Sequence, residues 1–322
     1  MSARHHGSYN DAAPALQLEN VLITAQQRYR GALAGLACGD ALGTSVEFAP
    51  RGTFAEVTEM TGGGPFGLEP GQWTDDTSMA LCLAHSLLYR QGFDAVDQMN
   101  RYCNWYQYGY LSSTGECFDI GNATAAALRR YLADKNPFAG SPDPASAGNG
   151  ALMRLAPVPM FHAADAAAVW HFSGESTRTT HGAPEAIDCS RLFGLQLLAA
   201  LRGQPKHAVL APPCPEPLST KVAALAAGAY LDKPVGAIKG TGYCVESLEA
   251  ALWCFAHTDT YAEAVLRAVN LGDDADTTAA ICGQLAGAYY GIGGLPAHWV
   301  AQLALRDEIL VLADRLLAER SA

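Results

Sequence analysis

Between residues 77 and 91 apolar side chains return at Met79, Leu83 and Leu87, the four-residue interval of one helical face. Further helices are expected over 21–42, 165–178, 184–202, 217–231, 245–257, 261–271, 277–290 and 296–319. Thr260 followed by Glu263 reads as a capping box at the start of one of them. In the first helix the small residues Ala34, Gly35, Ala37, Cys38 and Gly39 would let another helix approach closely. Loops are punctuated by Gly62, Gly63, Gly64 and Pro65, by Pro70 and Gly71, by the Pro-rich stretch 136–150, and by Pro212, Pro213, Pro215 and Pro217. Period-2 alternation is scarce, strands do not alternate with helices, and no fixed-period repeat is visible. Helix after helix with short loops implies an all-α domain.

Composition adds limits. The chain has 322 residues, 49% of them hydrophobic and only 16% charged, which is ample for one large core. A net charge of -11 without a basic stripe argues against nucleic acid as the main partner. Nine cysteines run from Cys38 to Cys282 with no C-x-x-C pair, several of them inside apolar helical segments. They read as reduced core residues of a cytoplasmic protein. His5, His6, Asn10 and Asp11 interrupt any secretory apolar run, and no stretch is long and apolar enough to span a bilayer. Residues 1–27 are expected to be a flexible extension and 28–322 one domain. A monomer is expected.

The chemistry concentrates in three acidic segments: Gly39 to Gly43 with Asp40, followed by Glu47; Gly71 to Thr77 with Thr74, Asp75 and Asp76; and Gly272 to Thr277 with Asp273, Asp274 and Asp276. The last two put paired carboxylates and a Thr hydroxyl at a helix start, where uncovered N–H groups favour negative charge. Two such starts facing each other near Glu47 would gather Glu47, Asp75, Asp76, Asp274 and Asp276. That much like charge calls for hard divalent cations, and oxygen-only ligands favour Mg2+, Mn2+ or Ca2+ over zinc. The plain alternative is that these Asp and Thr residues only cap their helices.

Four ordered segments, 30–43, 73–78, 148–154 and 272–278, resemble the ADP-ribosylglycohydrolase family, across nearly the whole stretch from Arg30 to Tyr290. The similarity is greatest to the branch that removes ADP-ribose from arginine. It implies a single compact orthogonal helical bundle and two divalent cations, Mg2+ or Mn2+. Thr74, Asp75 and Asp76 match the first metal-binding motif; Asp274, Asp276 and Thr277 match the second. Glu47 resembles the acidic residue beside the metals. Gly148, Asn149, Gly150 and Met153 fall in a segment like the family's diphosphate and distal-ribose loop, and His181 resembles a substrate-lining histidine. Asp119 stands where the arginine-directed branch has an Asp facing the arginine side chain. Asp273 departs from the pattern, since many members have Gly there.

From the residues themselves, Gly148–Gly150 is either a turn or an anion nest of free N–H groups. His181 alone is not diagnostic. Asp119 could simply cap the helix leading to Tyr131. Arg154 could meet phosphate or hold an acidic side chain. Trp105, Tyr106, Tyr108, Tyr110 and Tyr230 fit packing as well as base stacking. Breaking a ribosyl bond builds positive charge at the anomeric carbon, and metals can orient ribose hydroxyls and water. Glu47 is the first choice for acid–base work, Asp75 the second. The expected function is hydrolysis of ADP-ribosyl-arginine on a modified protein. The rival readings are a hydrolase of ADP-ribosyl-serine or poly-ADP-ribose, and an immunity protein that binds an ADP-ribosylating toxin.

Overall fold

The computed structural model describes residues 22–319. Residues 1–21 of the expected extension lie outside these. The first helix, α1 (Ala25–Gly43), starts four residues later than the pattern predicts, because Thr24 and Gln27 form a capping box there. The others are α2 (Asp75–Arg90), α3 (Ala95–Tyr108), α4 (Asn122–Asp134), α5 (Pro157–Phe161), α6 (Ala166–Arg178), α7 (Pro184–Leu201), α8 (Lys206–Leu210), α9 (Thr220–Ala226), α10 (Cys244–Ala256), α11 (Tyr261–Val269), α12 (Ala275–Tyr290), α13 (Ala297–Gln302) and α14 (Arg306–Ala318). Among the described residues there is no strand, only three isolated bridges, so the expected all-α class holds. The Thr260–Glu263 capping box is present at the start of α11.

One hydrophobic core runs from Tyr29 to Leu316, with α1 and α12 at its centre. These two helices are antiparallel and touch backbone to backbone. Gly31 lies on Gly287, Gly35 on Gly283, Gly39 on Ala279 and Gly43 on Asp276, so the contact repeats every four residues on α1. Glycine every four residues on α1 gives a continuous seam against the α12 backbone that even a Cβ on α1 would wedge open. The seam sets the axial register of the two helices. It thereby places Asp40, near the end of α1, opposite the start of α12.

A smaller core joins α3 and α4 to α2 through Met79, Cys82, Tyr102, Trp105, Leu128 and Tyr131. Trp105 is therefore a packing residue, and Tyr230 is fully buried as well, whereas Tyr108 is exposed. The nine cysteines are free, and all but Cys117 and Cys214 are buried. No helix among the described residues is long and apolar enough to cross a membrane.

Two expected helices differ. Of 217–231 only α9 is helical, ending before Gly228, which is left-handed at φ 77°. The stretch 296–319 divides into α13 and α14 around a left-handed Leu305. The cause is tertiary: Ala304 N–H donates to Gly71 O at 2.9 Å, and Trp73 Nε1 donates to Ala304 O at 3.1 Å. The break thus straps down the loop that leads into Thr74.

Candidate active site

The acidic motifs do face each other at two helix starts, and neither start is capped by its own side chain. Thr74 is the N-cap of α2 and Asp274 the N-cap of α12, yet neither makes a side-chain cap bond. The capping role for α2 belongs to Asp40, reaching across from α1. One of its oxygens accepts from Thr74 N (2.8 Å) and Thr74 Oγ1 (2.9 Å), the other from Thr77 N (3.0 Å) and Thr77 Oγ1 (2.7 Å). A fully buried carboxylate with four donors is a strong positioning device, and it frees Asp75 and Asp76 from local duty. The sequence signal for it is a lone carboxylate in the apolar second half of α1, residues 31–43.

Across the gap, Thr74 Oγ1 lies 3.3 Å from Asp276 Oδ2, and Thr277 Oγ1 donates to Asp76 Oδ1 at 3.2 Å. Asp274 accepts from Asn149 Nδ2 at 2.7 Å, and the same amide meets Ser247 Oγ at 3.1 Å. Glu47 follows a short 3-10 turn, Thr44–Val46, and is 6% exposed. Carboxylate oxygens of Glu47, Asp119 and Asp276 all lie within 4.8 Å of one another. The capping reading of Asp119 fails, because α4 starts from Gly121, and Asp119 is left-handed at φ 56° just before it.

Burial, then crowding with like charge, sets the protonation of this cluster. Burial, followed by Asp119 and Asp274, pushes the Glu47 carboxyl up to about 10. Burial and Asp40 push Asp119 up to about 7. Burial first, then neighbouring carboxylates, hold Asp75, Asp76 and Asp276 well above the usual range. Glu47 Oε2, Asp76 Oδ2 and Asp276 Oδ1 are buried without a hydrogen-bond partner. Buried carboxyl oxygens crowded together and left without a hydrogen-bond donor are what a hard cation would satisfy. Thr74 fits as well, since its hydroxyl proton goes to Asp40 and its lone pairs remain. The residues therefore suit divalent cations at this place.

The cluster forms the floor of a cleft of about 450 Å³. Glu47, Asp75, Asp119, Gly148, Asn149, Gly150, Met153, His181, Asp274, Asp276 and Thr277 all line it, so nearly every expected site residue converges here. Thr74 and Asp76 stand just behind the wall. The exposed ring of Phe48 marks the rim, on a left-handed backbone at φ 63°. Its N–H donates to Asp273 O at 2.7 Å, and Asp273 N–H returns a bond to Ala49 O at 2.9 Å. Asp273 is itself left-handed at φ 59°, a conformation that glycine takes freely and that Asp is among the residues to tolerate.

The 148–150 segment is not an anion nest of free amides. Gly148 N–H donates to Ser146 O at 2.8 Å and Asn149 N–H to Gly242 O at 3.0 Å, so two of the three are already used. Neither glycine has positive φ. The glycines instead make room: a Cβ on Gly150 would stand 2.9 Å from the His181 ring, and one on Gly148 3.2 Å from its Nε2. Gln284 of α12, which the sequence does not single out, holds the following turn by donating to Leu152 O and Met153 O and accepting from Ala156 N. His181 is buried, and burial with help from Arg154 lowers its pKa to about 3. The ring is neutral.

A family model described as ADP-ribosylglycohydrolase matches residues 22–322. The chain is 44% identical to "ADP-ribosylarginine hydrolase Tri1" of Pseudomonas putida (strain GB-1), over 94% of this chain and 81% of that protein. It is 32% identical to "ADP-ribosyl-[dinitrogen reductase] glycohydrolase" of Rhodospirillum rubrum, over 90% and 96%. A solved structure titled "ADP-ribosylglycohydrolase-related protein complex" superposes with a TM-score of 0.82 at 46% identity, covering 92% of this chain and 99% of that one.

Proposed function

The chain belongs to the ADP-ribosylglycohydrolase family, and from that premise we propose that it hydrolyses the N-glycosidic bond between ADP-ribose and the guanidinium of an arginine on a modified protein. The observation that carries this reading is the meeting of Glu47, Asp119 and Asp276 oxygens at the cleft floor, backed by unpaired carboxylate oxygens of Asp76 and Asp276. Relatives named ADP-ribosylarginine hydrolase, at 44% and 42% identity, support the arginine linkage.

In this reading Thr74, Asp75, Asp76, Asp274, Asp276 and Thr277 hold two Mg2+ or Mn2+ ions. Bound there, the ions supply Lewis acidity toward the ribose hydroxyls and water. The protein's own groups do the rest. Asp40 and Asn149 keep the carboxylates in register. Asp119 faces the cleft and offers carboxylate oxygens to a planar guanidinium, which returns parallel N–H bonds. The bond from the anomeric carbon to the guanidinium nitrogen breaks while a bond to water oxygen forms. Glu47, which holds its proton in the buried cluster, gives it to the departing nitrogen and takes one back from the attacking water, so free ADP-ribose and unmodified arginine leave.

The test is turnover on matched ADP-ribosyl-arginine and ADP-ribosyl-serine peptides, before and after chelation. The arginine linkage is cleaved, the serine linkage is poor, and Mg2+ or Mn2+ restores what chelation removes. Preference for the serine linkage overturns the assignment of substrate; full activity in a metal-free preparation overturns that of the cations.

A further inference from the structure

Arg154 is 1% exposed and pairs with no carboxylate among the described residues. Its guanidinium lies over the Tyr102 ring, 4.7 Å from the centroid, with Nη1 3.7 Å from Met79 Sδ and Nε without a partner. Neither role open from the sequence, phosphate contact or carboxylate support, suits such a place. Its one short bond runs from Nη2 to Thr180 Oγ1, at 2.6 Å. Thr180 Oγ1 in turn lies 2.8 Å from His181 Nδ1.

The direction of this chain follows from proton counting. A guanidinium only donates, so Thr180 Oγ1 accepts from Arg154. The hydroxyl carries one hydrogen, and Thr180 is buried, with the His181 ring as its other neighbour. Were Nδ1 protonated, two donors would face the hydroxyl and its own hydrogen would be left without an acceptor, a costly state in a buried place. The hydroxyl therefore donates to a bare Nδ1, and the neutral ring carries its proton on Nε2. That Nε2 bonds no protein group among the described residues and lies against the faces of Gly148 and Gly150, on the cleft wall.

We propose that Arg154 is a positioning residue: through the Thr180 hydroxyl it fixes His181 as the Nε2–H tautomer, so that one ring N–H faces the 148–150 wall of the cleft and donates to a phosphate or ribose oxygen of the ligand. The ligand half of this statement rests on the proposed ADP-ribose reading; the tautomer half does not. It also explains why a cation is kept where no carboxylate pairs with it directly and, among carboxylates, only the field of Asp75 favours its charge. An apolar side chain would pack there more cheaply, but it would leave the hydroxyl free to turn and accept from Nδ1–H.

The experiment is nitrogen NMR of the full chain labelled at histidine, with the His181 signals assigned by their loss in His181→Gln. Wild type shows a pyrrole-type Nε2 and a pyridine-type Nδ1. Thr180→Ser keeps that pattern. Thr180→Val and Arg154→Met mix the two tautomers, and ADP-ribose binding by calorimetry weakens about tenfold in both; Thr180→Val also lowers the melting temperature, because it leaves the buried Arg154 Nη2 without its hydrogen bond. Thr180→Val is nearly isosteric and carries the test if Arg154→Met does not fold. A wild-type Nδ1–H pattern, or an unchanged pattern in both variants, overturns the proposal. Mixed tautomers with unchanged ADP-ribose affinity overturn its ligand half. Absence of ADP-ribose binding by wild type would instead overturn the proposed function, and the tautomer pattern would still decide the role of Arg154.

Discussion

Gly39→Ala tests whether the backbone seam between α1 and α12 is what builds the site. A Cβ at this position would stand 2.6 Å from the Ala279 carbonyl carbon and 2.9 Å from the Ala280 nitrogen, whereas ordinary contact begins at 3.4 Å. The obstacle is backbone, so no side chain can swing aside, and the helices must part by about 1 Å. Overpacking of this kind costs about 1–3 kcal/mol, and the gain in helix propensity on replacing Gly by Ala returns about 1 kcal/mol. A contact with no room to relax belongs at the upper end, leaving a net loss of about 2 kcal/mol. For a chain of this size that lowers the melting temperature by about 3 °C. The functional effect is larger, because the seam carries Asp40 and Asp276. An opening of about 1 Å at Asp40–Thr74 and Thr74–Asp276 is expected to reduce turnover about 100-fold. Melting and turnover of Gly39→Ala should be compared with Gly236→Ala, where an added Cβ meets nothing within 4 Å. If the two variants melt and turn over alike, the seam does not set the site's geometry.

Three further outcomes are expected. Glu47 and Asp119 keep their protons in the folded state after the unfolded chain has lost them, so the stability they confer is complete below the ordinary carboxylate range, near pH 4, and is lost as pH rises through about 7 for Asp119 and on toward 10 for Glu47. The melting temperature of the cation-free protein should therefore fall from about pH 5 to about pH 8, and Mg2+ should flatten the fall; a cation-free curve that rises over this window contradicts the crowding account. Asp76→Ala and Asp276→Ala each remove an unpaired buried oxygen and should lose most turnover while the cation-free protein melts no lower than wild type; wild-type turnover in both would make them plain structural residues. Glu47→Gln should retain ADP-ribose binding in calorimetry and lose about 10²–10⁴-fold in rate, and normal turnover would hand the proton to Asp75 or another group.

Much of the molecule is written locally in the chain. The four-residue return of Met79, Leu83 and Leu87, the Thr260–Glu263 box and the Gly and Pro clusters fix helices and loops, because those signals act within a few residues of where they stand. The acidic motifs at two helix starts likewise announce a crowded carboxylate site, since like charge at a helix terminus is informative wherever it lies. What needed the tertiary structure is everything decided by register over long separations. Asp40 caps a helix 34 residues away, Thr277 reaches Asp76 across 201, and the break before α14 depends on Gly71 and Trp73 far upstream. Asp119 reads locally as a cap and turns out to share the floor with Glu47 and Asp276. Arg154 stays open in the sequence between a phosphate contact and a support for an acidic side chain until burial and a single short hydroxyl bond are seen. Local sequence can specify which backbone a residue adopts, but which side chains meet depends on how closely two helices approach and at what offset. Here that offset is set by glycines at four-residue spacing on α1 seated against the backbone of α12.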